Sequence, residues 1–366
     1  MTRPTSSAAT LLTLPATMGG MTAGGSGDDG RGAVERHDGP RSAASALLLT
    51  RLGAEHGVEP ATTLAGTGLD LDALRVPGAE VTGRQELTLL RNLQAACPLP
   101  SLPLEAGRRY HLTTYGIWGF ALASSPTVRD ALAVGSTFVD LSFAFCTLAV
   151  EQDDAELRMC LDDDGVPADV RAFVVARDLA GLRTLAGELA PGLALQRLTV
   201  RLPAPDDVGA WTEVFGVEPQ FDAPRNVAVL DAAALDLPLP QADELTAAMT
   251  ERQCRELVER RRSRAGVAGV VRDELVRTPG AMPSVELVAE RLAVSERTLR
   301  RRLADEGTSF RALVDEVRTT LAEELLSTGS LSVEQVARRL GYAETASFTH
   351  AFTRWKGVSP RAWVRR

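Results

Sequence analysis

Two hydrophobic periods run along this chain, and their distribution divides it. Between residues 44 and 250 both occur. Apolar side chains recur at helical spacing over 45–56, over 85–96 through Leu87, Leu89, Leu90 and Leu93, and again over 127–138, 170–189 and 208–215. Stretches 143–150 and 156–161, with Leu157, Met159 and Leu161 alternating beyond a polar turn at Asp153-Asp154, predict a hairpin. Leu198, Val200 and Leu202 predict another strand, and 226–230 a further one. Helices and strands mixed in this order predict an α+β domain. From about residue 245 only the helical period remains: 245–264 predicts a polar helix, and Val267, Val270, Val271 and Leu275 line the apolar face of the next.

The last third is written twice. Ser284-Val285-Glu286-Leu287-Val288-Ala289-Glu290-Arg291-Leu292 matches Ser332-Val333-Glu334-Gln335-Val336-Ala337-Arg338-Arg339-Leu340 at seven of nine positions with an offset of 48, and the match resumes at an offset of 50, where 307–314 lies over 357–364. Each copy predicts two short helices joined by a tight turn, over about 284–304 and about 332–356. In the first copy Ser295 is placed to cap the second helix, and Leu299 and Leu303 point inward. At about 100° per residue, Arg297, Arg300 and Arg301 then face solvent, with Arg302 on a flank. In the second copy Ser332 and Gln335 have capping-box spacing. Phe348, Phe352 and Trp355 point inward there, Ala346, Thr349, His350 and Thr353 outward, and Thr345 and Arg354 lie at the edges. The joining stretch 310–327 carries Leu313, Val314, Val317, Leu321 and Leu325 without internal Gly or Pro. It predicts a helix about 27 Å long, close to the roughly 34 Å between successive major-groove faces of B-DNA.

An exposed helix bearing arginines suits the major groove, where guanidinium groups bond guanine O6 and N7. An isolated arginine run is more often a solvated face, but here it lies on the second helix of a duplicated helix-turn-helix, which favours DNA. Val336-Ala337, Leu340-Gly341-Tyr342, Ser347-Phe348, Phe352, Lys356-Gly357 and Ser359-Pro360 are spaced as in the signature of the AraC/XylS family of transcriptional regulators, and residues 266–366 resemble that family's DNA-binding domain. The candidate contacts to double-stranded DNA are Ser295, Arg297, Arg300, Arg301, Thr345, Thr349, His350, Arg354 and Lys356. The resemblance also implies two helices in adjacent grooves, RNA polymerase as a partner, and activation rather than repression. His350 and Thr353-Arg354 depart from a more basic family pattern, which predicts a weaker second half.

Charge supports the division. The chain holds 40 Lys+Arg and 48 Asp+Glu for a net charge of -8, but residues 252–366 carry 22 basic against 15 acidic side chains and the remainder 18 against 33. A basic end on an acidic protein predicts that only this end touches nucleic acid. Within the acidic part, Tyr115-Gly116 with Gly119, Ala121-Leu122-Ala123-Ser124-Ser125-Pro126-Thr127, Phe215-Gly216, Asn226, Leu235-Asp236-Leu237-Pro238-Leu239-Pro240 and Ala242-Asp243 are similar to the amino-terminal domain of one AraC branch. That resemblance implies a domain over 44–245 that binds an unknown small-molecule effector and forms a homodimer. Candidate ligand-binding residues are Arg109, His111, Tyr115 and Trp118. His111, beside Arg108, Arg109 and Tyr110, suits an anionic ligand, although a hydrogen-bonded loop histidine is the commoner role. Residues 246–265 read as a linker helix whose run Arg260-Arg261-Arg262 either touches phosphates or forms a salt-bridged face.

The remaining signals narrow the class. Cys97, Cys146, Cys160 and Cys254 form no metal spacing with the four histidines, so a reducing cytoplasm is expected. Cys146 and Cys160 would face each other in the predicted hairpin as a redox pair, against the commoner role of buried free thiols. Residues 1–43 are Gly- and Ser-rich and read as a disordered extension, or as sequence upstream of a start at Met18 or Met21. No stretch has the length of a membrane span, and no metal or cofactor is implied. There is no phosphate loop and no nucleophile elbow, and Asp162-Asp163-Asp164 lacks the Gly and Glu of a calcium loop and is expected to be a solvated turn. The expected function is a ligand-responsive, sequence-specific DNA-binding transcriptional regulator and not an enzyme. Two alternatives stand beside it: a metabolite-processing enzyme domain fused to a DNA-binding module, and an architectural binder with little sequence preference.

Overall fold

The computed structural model describes residues 10–11, 39–264, 266–277, 282–327 and 331–364, with backbone alone at 10–11 and 262–264. The chain divides into two compact units, Met1–Glu259 and Arg260–Arg366.

The strands of the first unit are β1 (Thr10–Leu11), β2 (Pro40–Ser42), β3 (Glu80–Thr82), β4 (Thr147–Gln152), β5 (Glu156–Asp162), β6 (Arg197–Thr199) and β7 (Asn226–Asp231). β2 pairs with β3, and the other five form one antiparallel sheet in the order β1-β4-β5-β7-β6. The period of two sends Leu157, Met159 and Leu161 into the core. Cys160, between them, points to the other face and stands opposite Ala149, whereas Cys146 lies in the core before β4 begins. The pleat therefore separates the two thiols that the sequence suggested as a redox pair, and all four cysteines are free and buried. The expected disordered extension also needs correction at its end. β2 lies within 1–43 and is ordered because Arg41 reaches a buried carboxylate, Glu86. The rest of that stretch, including Met18 and Met21, lies outside the described residues apart from β1, residue 39 and Ala43.

The helices that begin in this unit are α1 (Ala44–Glu55), α2 (Gly83–Ala96), α3 (Leu102–Arg108), α4 (Ile117–Ser124), α5 (Val128–Thr137), α6 (Arg171–Leu189), α7 (Gly209–Phe215) and α8 (Glu244–Arg264), with short helical turns at Pro60–Thr63 and Leu71–Arg75. Capping boxes start α2 at Thr82 with Gln85 and α5 at Thr127 with Asp130. Sequence periodicity missed α3 and α4. α4 is apolar nearly all round and so has no stripe to read, and α3 contains Pro103 and Gly107. Gly107 is required by packing: a Cβ there would lie 2.5 Å from the Arg177 carbonyl oxygen and from Ala180 Cβ of α6. Gly119 has the same role in α4, where a Cβ would lie 1.9 Å from the Leu112 carbonyl oxygen.

The centre of the unit is charged. Arg177, Glu86 and Ser45 are at most 1% exposed. Glu86 accepts from Arg41 Nη1 at 3.1 Å and Arg177 Nη1 at 3.3 Å, and the Ser45 hydroxyl links it to Tyr110. Arg177 Nη2 also donates to the Phe143 carbonyl and to Asp178, whose other oxygen accepts from the backbone amides of Phe145 and Cys146. Burial opposes the Arg177 charge, but Asp178, Tyr110 and Glu86 surround it and its pKa is raised. Burial pushes the Tyr110 hydroxyl up to about 12.

α8 does not behave as a free linker. Cys254 and Val258 are buried among Phe138, Leu185 and Leu239, so the first unit runs to Glu259 instead of ending near 245. The Arg262 side chain lies outside the described residues.

The second unit is helical: α9 (Gly266–Val276), α10 (Val285–Arg291), α11 (Glu296–Asp305), α12 (Phe310–Ser327), α13 (Val333–Arg339), α14 (Thr345–Lys356) and α15 (Pro360–Val364). Two cores form. Val271, Leu275, Val288, Leu299 and Leu303 close on Leu313 and Val317 of α12. Val336, Leu340, Phe348 and Phe352 close on Ala322 and Leu326 of the same helix. Val270, expected inside, is 43% exposed, because the apolar face of α9 runs through Ala268, Val271 and Leu275. No helix among the described residues is long and apolar enough to cross a membrane.

Removing one partner from a buried ion network strands the others, whereas an exposed pair contributes little. Glu86→Ala is therefore expected to lower stability by about 3–5 kcal/mol and Glu105→Ala, in a half-exposed pair with Arg109, by under about 1 kcal/mol. Urea denaturation of both variants checks this, and equal losses would contradict the structural role given to Glu86.

Candidate nucleic-acid interface

The two copies agree in backbone as well as in sequence. Ser284 caps α10 through the Leu287 amide and Ser332 caps α13 through the Gln335 amide. Each turn then passes through one residue with positive φ, Ala293 at 53° and Gly341 at 79°, 48 positions apart. The amide after it bonds back to an alanine carbonyl at 3.0 Å in both copies, Val294 to Ala289 and Tyr342 to Ala337. This turn sets the angle between α10 and α11, and between α13 and α14.

α11 is held by Leu299 and Leu303, both fully buried, so that Arg297, Arg300, Arg301 and Arg302 are all exposed. Ser295 is its cap, accepting from the Thr298 amide at 3.2 Å. Arg300 Nε donates to Glu296 at 2.7 Å, one turn earlier. Arg297, Arg301 and Arg302 have no carboxylate partner among the described residues.

On α14, Phe348, Ala351 and Phe352 are buried, and Ala346, Ser347, His350, Thr353 and Arg354 are exposed. Thr349, expected outward, is half-buried and donates to the Thr345 carbonyl at 2.9 Å. Arg354 pairs with Asp315 of α12 at 3.4 Å. Lys356 folds back onto Glu323 of α12 and lies 5.0 Å from the Trp363 ring centroid. Of the nine candidate contacts, the fold thus exposes Arg297, Arg300, Arg301, His350 and Arg354 on the second helices of the two motifs. Ser295 serves as a cap, the Thr349 hydroxyl bonds the Thr345 carbonyl, Thr345 is half-buried, and Lys356 is turned toward the connecting helix. Sequence reasoning did not single out Arg311 and Arg318 of α12, which line one cavity with His350 and Arg354. Their signal was two arginines seven positions apart on the connecting helix.

The four candidate ligand residues of the first unit separate into two places. Arg109 pairs with Glu55 at 2.8 Å and with Glu105, and the Arg109 hydrogen bond holds the Glu55 carboxyl below its ordinary range. His111 is exposed, with Nδ1 against one oxygen of Glu188, whose other oxygen accepts from the Leu112 amide at 2.9 Å. Carboxylates already partner both side chains, so neither is open to an incoming anion. Tyr115 and Trp118 do come together, with ring centroids 5.0 Å apart, and Phe143 joins them at 5.0 Å from Tyr115. Trp118 Nε1 is buried without a hydrogen-bond partner among the described residues, and burial pushes the Tyr115 hydroxyl pKa well up.

Asp162-Asp163-Asp164 differs from the solvated turn expected of it. Asp163 is 1% exposed and accepts from Arg201 Nη1 at 2.9 Å and Asn226 Nδ2 at 3.0 Å, while Arg201 also bonds Asp164 at 2.7 Å. The middle carboxylate is buried because β7 supplies Asn226 beside it.

Residues 57–239 match the family model of the arabinose-binding domain of AraC transcription regulator, N-terminal, and residues 288–366 match a helix-turn-helix domain model. The chain is 36% identical to an uncharacterised HTH-type transcriptional regulator of Mycobacterium tuberculosis, over 87% of this chain and 94% of that protein. It is 30% identical to the ornithine utilization regulator of Pseudomonas aeruginosa, over 88% of this chain and 94% of that protein. A solved structure, transcriptional regulator CdpR from Pseudomonas aeruginosa, is 27% identical over 87% of this chain and 97% of its own, with a TM-score of 0.44.

The turn geometry yields a stability prediction. A side chain at positive φ is strained by roughly 1–2 kcal/mol, and the second copy avoids this with Gly341. Ala293→Gly is expected to stabilise the second unit by about 1 kcal/mol, read as a higher thermal midpoint. A lower midpoint would mean that Ala293 contributes packing that outweighs the strain.

Proposed function

The chain belongs to the AraC family of transcriptional regulators, DNA-binding proteins with a ligand-binding domain, and we propose from that membership that it is an activator governed by a small molecule. Residues 266–366 bind DNA, and the first unit binds the effector and a second copy of the chain. RNA polymerase is the further partner. The first unit senses its ligand rather than converting it, a reading supported by relatives that are themselves transcriptional regulators.

The observation that carries this reading is the sharing of α12 by two cores, each presenting one second helix outward. Eighteen residues of helix span about 27 Å. That length suits successive major grooves on one side of B-DNA, about 34 Å apart. α11 brings Arg297, Arg300 and Arg301 to base edges, and bidentate bonding to guanine gives a G-containing half-site. α14 brings His350 beside Ala346, Ser347 and Thr353, and its one arginine, Arg354, is paired with Asp315, so it discriminates less strongly.

Binding of the full-length protein to its own upstream DNA, against random DNA of equal length across a salt series, tests the proposal. A preference that persists at physiological salt is expected, and equal binding to every sequence would favour the architectural reading. Arg301→Ala is expected to cost about 1–3 kcal/mol on the preferred fragment and much less on random DNA. His350→Ala is expected to cost less than Arg301→Ala, and the reverse order in the same titration would refute the division of labour between the copies.

A further inference from the structure

We propose that the cavity between α12 and α14 is a cleft for one phosphodiester of the DNA backbone, held between the two base-reading helices. The inference rests on the reading that the second unit binds DNA, and it assigns a role to residues that this reading left aside.

Position comes first. α12 joins the first helix-turn-helix, which ends in α11, to the second, which runs from α13 to α14, and packs in the cores of both, so its exposed side lies between the two reading helices along the duplex. When two helices occupy successive major grooves on one face, what passes between them is the sugar-phosphate backbone flanking the minor groove. A cationic group placed there meets phosphate oxygens, which fix register and carry no base information.

The chemistry of the cleft matches that position. Its volume is about 480 Å³, and its polar lining comes from Arg311, Asp315 and Arg318 of α12 and Ser347, His350 and Arg354 of α14. Three guanidinium groups face one carboxylate. Asp315 lies 3.4 Å from Arg354, which leaves Arg311 and Arg318 without a carboxylate among the described residues. Arg318 is held in place by stacking, with its guanidinium carbon 4.9 Å from the Tyr342 ring centroid. Its Nε is buried and has no hydrogen-bond partner among the described residues. Arg318 as a whole is half-buried and lines the cleft, where a phosphate oxygen is an acceptor that delivers negative charge beyond that of Asp315. Asp315 acts as the counter-charge of the free protein, steadying Arg354 and repelling the backbone.

The test uses the full-length protein, titrated against its preferred fragment and against random DNA over a salt series. Each neutralised phosphate contributes about 0.9 to the slope of log affinity against log salt. Arg311→Ala and Arg318→Ala are each expected to flatten that slope, by no more than about 0.9 because one phosphate is at stake, and each to weaken both DNAs by the same factor, with Arg318→Lys retaining the slope. Asp315→Asn is expected to act in the opposite direction, tightening both DNAs, a gain that a damaged fold would not produce. Unchanged slopes in the two alanine variants would overturn the proposal, as would a loss confined to the preferred fragment, which would make these arginines base readers. Inorganic phosphate supplies the remaining arm. If it raises the thermal midpoint of the wild type but not of Arg318→Ala, while the DNA slopes stay equal, the cleft serves a small anion and the proposal fails. Failure of the wild type to prefer its upstream fragment would instead count against the regulatory reading, because the slopes on random DNA still report on the cleft.

Discussion

One helix belongs to two cores, and the second unit depends on that constraint. Leu313 and Val317 complete the first helix-turn-helix, and one or two turns later Ala322 and Leu326 complete the second. An α-helix has a fixed rise and a fixed rotation per residue, so burying both ends of α12 sets the spacing and relative rotation of the two motifs together. A flexible connector of equal length would leave α11 and α14 to find their grooves independently. The ordering cost would then fall at the moment of binding. Glu306 adds to this rigidity, since its carboxylate accepts from the amides of Val267 and Ala268 at the start of α9.

The first unit uses buried charge for a related purpose. Arg177 and Glu86 lie where an all-apolar sheet-on-helix core would be expected, and they tie together β2, α1, α2, α6 and the segment before β4. Apolar contacts are tolerant of small displacements, whereas guanidinium and carboxylate groups out of water must keep their partners within hydrogen-bond distance. The network thus penalises any arrangement in which those segments separate. It also lies beside the aromatic group of Tyr110, Tyr115 and Phe143, with Arg177 5.8 Å from the Tyr110 ring centroid. The charged centre and the ring cluster are therefore one packed region.

Net charge by itself says little about which cations are available. Many arginines of the first unit are already spoken for: Arg109 by Glu55, Arg201 by Asp163 and Asp164, Arg225 by Glu151. On α11 the balance is different, because of its four exposed arginines only Arg300 has a carboxylate partner among the described residues, Glu296. Exposed charges without intramolecular partners keep their potential toward an approaching polyanion. This pairing pattern, more than the count of basic residues, distinguishes the face of α11 from the rest of the surface.

The sequence by itself determined the duplicated helix-turn-helix, the bounds of the connecting helix over 310–327, the outward arginines of α11, the caps at Ser295 and Ser332, and the β4–β5 hairpin. These rest on local rules, the 3.6- and 2-residue periods and the chemistry of helix ends, and local rules are written in consecutive residues. It missed α3 and α4, where a proline, a close-packed glycine and an all-round apolar surface erase the period. Only the tertiary structure decided that Cys146 and Cys160 occupy opposite sides of a pleat, that Asp163 is buried against Asn226, and that Arg109 and His111 have Glu55 and Glu188 as partners. It alone showed that Lys356 turns back to Glu323, and that Arg311 and Arg318 share a cleft with His350 and Arg354. In each of these cases the deciding partner is distant in sequence or on a neighbouring element, and the energy of a charge depends on what stands opposite it in space.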